Sequence, residues 1–183
     1  MGSSIYCFFT RGAEQSPADL QSALDRLMSE HREDVQVLME RGRFSAGGDR
    51  WHLDLDRPDG GKPESIFGEG PAGLSINVYC QVVLVHSAER FCALYDEGMG
   101  VASALRRLLC TTARCLGASP RIAVAAGGYG ETDRADDLAY YKGGPFEEVV
   151  AMLEEDAGPP ARTWDELARG LHGWYLGEPA SDS

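Results

Sequence analysis

His52, Asp54 and Asp56 alternate with Leu53 and Leu55 immediately after Trp51. In an extended strand, side chains two residues apart share a face and stand roughly 6–7 Å apart, so this spacing lines up one imidazole and two carboxylates. Those are ligand types for a divalent cation, and a metal-dependent enzyme built on the His52/Asp54/Asp56 face is one function they could serve. A lone strand does not close a coordination sphere, so His31, His86, His172 or remote acids would have to converge on it. Without that convergence the same residues are the solvated face of a half-buried strand.

Other residues capable of chemistry are less favourably set. Gly127-Gly128-Tyr129-Gly130 follows an expected strand, where backbone N–H groups can meet a phosphate. Glu131, Asp133, Asp136 and Asp137 would repel an incoming anion, however, and neither a Gly-Lys-Ser/Thr nor a complete dinucleotide glycine pattern is present. The acids lack the spacing of a calcium loop as well, so this stretch reads as a turn and a solvated loop, and no cofactor is expected. His86 and Ser87 are adjacent, but neighbours in a strand face opposite ways, and Ser87 suits a helix cap. The five cysteines, Cys7, Cys80, Cys92, Cys110 and Cys115, are odd in number and form no C-x-x-C pair. They are expected to be free thiols, mostly in the core.

The elements that must position these groups follow from periodicity. Ile5–Phe9 suits a buried strand. Ser16, Pro17 and Asp19 open a helix whose apolar face is Leu20, Ala23, Leu24, Leu27 and Met28. Val35–Met39 is expected to be a short strand and Trp51–Asp56 a half-buried one. Residues 57–73, rich in Pro and Gly, are expected to be a long connection. Leu74 to Val85 keeps a period of two throughout and predicts one central strand, with an opposite face that becomes apolar at Val83 and Val85. Ser87 should cap a further helix through Phe91 and Leu94. Beyond it come a helix bearing Val101, Leu105, Leu108, Leu109, Thr112, Cys115 and Leu116, a strand at Ile122–Ala126, and two last helices. One of these carries Phe146, Val149, Val150 and Leu153, and the other runs from a Thr163/Glu166 capping box through Trp164 to Tyr175. Residues 177–183 should fray.

The order β-α-β-β-β-α-β-α-α predicts an α+β fold over 1–183 as a single globular domain, with a central mixed or mostly antiparallel sheet of about five strands and helices packed on it. Apolar runs fall short of the ~20 residues a membrane crossing needs, and no leader-like segment opens the chain, so a cytoplasmic protein is expected. Its net charge of −12 disfavours nucleic acid and anionic membranes as partners. Residues 131–183 hold thirteen Asp and Glu against four Lys and Arg. The expected function is a non-catalytic protein-binding role, in its most specific form an inhibitor or immunity-type protein that neutralises a basic partner such as a toxin. Glu147, Glu148, Glu154 and Glu155 on the polar side of one late helix would meet that partner, with Trp174 as an aromatic anchor. A homodimer formed through the Val83/Val85 face is a further alternative.

Overall fold

The computed structural model of the chain describes residues 4–12, 15–42, 44, 47–54, 65–87, 98, 100–117, 121–127 and 132–178. Strand β1 (Ser4–Thr10) leads into helix α1 (Pro17–Glu30), which opens with a full capping box: Asp19 N–H donates to Ser16 Oγ, and Ser16 N–H donates to Asp19 Oδ2. Helix α2 (Arg32–Glu40) occupies the stretch expected to be a second strand. Val35 and Leu38, one turn apart, are its buried residues, and Glu33 and Asp34 favour its N-terminal turn. Five residues are too few for periodicity to separate helix from strand.

Strand β2 (Gly47–Asp54) alternates as expected, with Trp51 and Leu53 buried and His52 and Asp54 exposed; Leu55 and Asp56 lie outside the described residues. Strand β3 (Ile66–Pro71) replaces the second half of the expected long connection. Its glycines are packing residues: a Cβ at Gly70 would overlap the Trp51 ring on β2, so the neighbouring strand can approach only a glycine there. The turn to β4 (Leu74–Val78) places Ala72 and Gly73 at φ 55° and 65°, the double left-handed geometry of a tight hairpin.

The single strand expected from Leu74 to Val85 is two strands. The chain reverses through Tyr79, Cys80 and Gln81, closed by Tyr79 N–H donating to Val82 C=O, and returns as β5 (Val82–Ser87). A period of two running unbroken through the turn conceals it. The reversal also moves Val83 and Val85 to the same core as Leu74, Ile76 and Val78, each fully buried, which removes the apolar surface behind the dimer alternative. Ser87 ends β5, and the helix expected after it, from 88 to 97, lies outside the described residues.

Helix α3 (Gly100–Leu116) buries the expected stripe except for Cys115, which is half-buried, and β6 (Ile122–Gly127) follows. Helix α4 (Asp133–Tyr141) stands where a solvated loop was expected, with Ala135, Leu138 and Ala139 turned inward. Helix α5 (Phe146–Ala157) is as expected. The last expected helix divides into α6 (Trp164–Ala168) and β7 (Trp174–Gly177). Gly170, at φ 73°, stops α6 while Leu171 N–H bonds Glu166 C=O and Gly170 N–H bonds Leu167 C=O, the paired C-terminal closure that favours glycine. Gly177, expected to fray, pairs with Ile122.

The seven strands of the described residues form one sheet in the order β2-β3-β4-β5-β1-β6-β7, with every neighbouring pair antiparallel. Helices α1, α2, α3 and α6 share one core with one face of this sheet, and α4 and α5 share a second core with the other. The fold is α+β as expected, with seven strands among the described residues where about five were anticipated. Arg107 on α3 grips the Asp34 carboxylate through Nε and Nη2 (3.1 and 2.7 Å to Oδ1), and Asp34 contacts His31 Nδ1 at 3.2 Å, joining α2 to α3. At the β2 edge, Gln21 of α1 donates from Nε2 to Trp51 C=O (2.8 Å) and accepts from Leu53 N–H at Oε1 (3.0 Å). Its carboxamide thus fills a place that a residue of an eighth strand would take.

Candidate functional site

Cross-strand register determines which side chains share the α4/α5 face. One row runs His52, Glu69, Ser75, His86, Tyr6, Ala125, Trp174, and the next runs Asp54, Phe67, Asn77, Leu84, Phe8, Ala123, Leu176. Toward β6 and β7 both rows are apolar and packed beneath Leu138, Phe146, Val149 and Leu153. Toward β2 they are polar apart from the half-buried Phe67: His52, Asp54 and Glu69 are exposed, and Ser75, Asn77 and His86 are half-buried. The sheet therefore changes character across a single face, and α4 lies along the boundary.

Aromatic rings and one carboxylate meet at that boundary. Tyr79 donates from its hydroxyl to Asp136 Oδ1 at 2.7 Å, across 57 residues of sequence. Asn77 Nδ2 donates to the same hydroxyl at 3.0 Å and lies 3.5 Å from His86 Nε2, whose ring stacks on Tyr6 with centroids 5.9 Å apart. Phe67 and Tyr140 meet edge to face at 5.9 Å, Tyr140 lies 5.3 Å from Tyr79, and Tyr141 adjoins Tyr140 at 4.6 Å with 60% of its surface exposed. Burial raises the Asp136 pKa, the Tyr79 hydrogen bond opposes that rise, and the charges of Asp137 and Asp133 add to it. Burial and then the Asp136 charge push the Tyr79 phenol up, and burial pulls His86 down, so its neutral form is favoured.

The residues singled out from sequence are placed differently. His52 and Asp54 share the open half-face, and His52 is joined by Glu69 as its cross-strand neighbour, while Asp56 lies outside the described residues. Among the described residues, no three His, Cys, Asp or Glu side chains are gathered so as to hold a metal ion. His86 faces this half of the sheet, whereas Ser87 pairs with Leu74 of the opposite core, so the two do face opposite ways. Cys7 and Cys110 are buried, Cys115 is half-buried and Cys80 is exposed at the β4–β5 turn, none of the four in a disulfide, while Cys92 lies outside the described residues. Glu147, Glu148, Glu154 and Glu155 all lie on the exposed face of α5, around Ala151. Arg121 stands 3.6 Å from Glu147 and Arg134 stands 3.6 Å from Glu155; Arg134 also pairs with Asp156.

Trp174 is no surface anchor. It is buried on β7 against the α5 core and donates from Nε1 to Gly158 C=O at 2.7 Å. An indole whose N–H finds a backbone carbonyl meets both its apolar and its polar needs inside the fold.

Sequence reasoning missed the Tyr79–Asp136–Tyr140 contact because its parts are distant and two of them lay in a presumed loop. The available signal was the i, i+4 spacing of Asp136 and Tyr140 beside the i, i+3, i+4 spacing of Ala135, Leu138 and Ala139. Comparison of the chain with protein-family models, curated proteins and solved structures found no match. No helix among the described residues is long and apolar enough to cross a membrane.

Proposed function

We propose that this chain is a non-catalytic cytoplasmic binding protein whose acidic α5 face docks a basic protein, acting as an inhibitor or immunity-type protein that blocks a partner such as a toxin by occlusion. The observation that carries this reading is the stripe of Glu147, Glu148, Glu154 and Glu155 on one exposed helix face, opposite the buried Phe146, Val149 and Leu153. A helix anchored in this way presents carboxylates on a rigid support, and their field adds to that of a chain carrying −12 overall. Complementary fields of this kind accelerate encounter and select partners by charge.

The test is the association rate of a basic partner captured from the source cell and then purified. Glu147→Lys/Glu148→Lys should slow association roughly tenfold at low ionic strength, and added salt should shrink the difference. Both substitutions lie on the solvent side but in the first turn of α5 beside Arg121, so the melting temperature should fall modestly, and rates are compared at a temperature where both chains are fully folded. An acidic partner, or an unchanged rate at low salt, would refute docking through α5.

A further inference from the structure

Asp136 stands apart from the other acids of the C-terminal third. Its carboxylate is half-buried, its hydrogen-bond partner among the described residues is the neutral Tyr79 hydroxyl, and the charges acting on it from α4 are the like charges of Asp133 and Asp137. Arg134, the cation on the same helix, is engaged by Glu155 and Asp156 instead. Withdrawing a carboxylate from water without a counter-ion is unfavourable, and a cation placed against it offsets that penalty. The surroundings suit a particular kind of cation. Phe67, Tyr79, Tyr140 and Tyr141 form a chain of rings with successive centroids 4.6–6.5 Å apart, and Tyr141 brings that chain to the surface. Aromatic faces attract cations, and a guanidinium adds planar stacking, weak hydration and two-point bonding to a carboxylate, none of which an ammonium matches.

We infer that the Asp136–Tyr140 boundary of the sheet is the receiving site for an arginine side chain of the partner, held by the Asp136 carboxylate and stacked on the rings of Tyr140 and Tyr141, with the buried Tyr79 fixing the carboxylate from behind. This rests on the basic-partner reading and gives it a point of specificity: the α5 carboxylates steer, whereas Asp136 and its rings select arginine over lysine. Asp54 and Glu69, exposed on the adjoining half of the sheet, add negative potential on the approach, and the neutral form favoured for His86 keeps opposing charge low.

The experiment is NMR titration of the whole 15N-labelled chain with a short blocked peptide containing one arginine, its lysine counterpart and a neutral counterpart. The arginine peptide should give saturable shifts at Phe67, Tyr79, Asp136 and Tyr140, and should bind about fivefold or more tightly than the lysine peptide. Asp136→Asn, which keeps the shape and an acceptor for Tyr79, and Tyr140→Leu, with its fold checked by melting, should each weaken arginine binding by a similar factor. Glu148→Lys should leave it nearly unchanged. Equal affinity for arginine and lysine, shifts confined to α5, or binding indifferent to Asp136→Asn would overturn the site. If that happens while α5 charge reversal still slows the basic partner, the proposed function survives without it. Arginine binding at Asp136 with no effect of α5 reversal would support the site and move the docking surface away from α5.

Discussion

At Asp136 a carboxylate is held against the sheet by a tyrosine hydroxyl while burial disfavours its charge. A carboxyl group whose folded pKa is raised binds more protons folded than unfolded, so its contribution to stability falls as pH rises from the unfolded value near 3.8 through the folded one. Asp136→Asn should therefore be at least as stable as the native chain at pH 7, and the two should converge below about pH 4, where both states of Asp136 are protonated. Melting temperatures from pH 3 to pH 7 check this; a variant less stable at neutral pH would show that the ionised form is favoured in the fold. His86 acts in the opposite sense. Its pKa is lowered, so stability is lost as pH falls from about 6.5 through its folded value, which makes the difference between native and variant chains the informative quantity.

Gln21 is a surface residue of α1 by its position in the sequence, yet its side chain serves β2. Removing it leaves Trp51 C=O and Leu53 N–H without their partner at the sheet edge. Gln21→Ala should destabilise the chain by about 1–3 kcal/mol and promote self-association through β2 edges, seen as a mass in light scattering that rises with concentration. A variant as stable and as dispersed as the native chain would mean that solvent satisfies these groups equally well. How far each element was legible depended on how local its determinants are. The Ser16/Asp19 capping box, the α3 stripe and the Trp51/Leu53 alternation involve near neighbours, and each was readable. The β4–β5 reversal was hidden because alternation continues through Tyr79, Cys80 and Gln81, and β3 because its glycines exist to admit a tryptophan from another strand. Strand β7 was concealed by an apolar spacing shared with α6, which Gly170 interrupts. In the candidate site the helical spacing of Asp136 and Tyr140 was legible, but their meeting with Tyr79, which is 57 residues from Asp136, leaves no local signal in a single sequence.

For the whole molecule, the position of β1 matters most. It lies between β5 and β6, paired to both, and its Cys7, Phe8 and Phe9 are fully buried between two helical layers. Its amides should exchange with solvent only through global unfolding, whereas those of α4 and α5 should also exchange through local opening, because that layer is held by the smaller core. Hydrogen–deuterium exchange resolved by residue would show this, and faster exchange in β1 than in α4 would contradict it. Because Tyr6 must find both His86 and Ala125, the middle of the sheet cannot form until long loops have closed. Refolding should accordingly take milliseconds to seconds, on the order of other non-local β topologies. During synthesis, Ile5, Cys7, Phe8 and Phe9 emerge before either flanking strand exists, so the nascent chain carries an unpaired apolar strand until β5 and β6 follow and is a natural client for a chaperone that shields such segments.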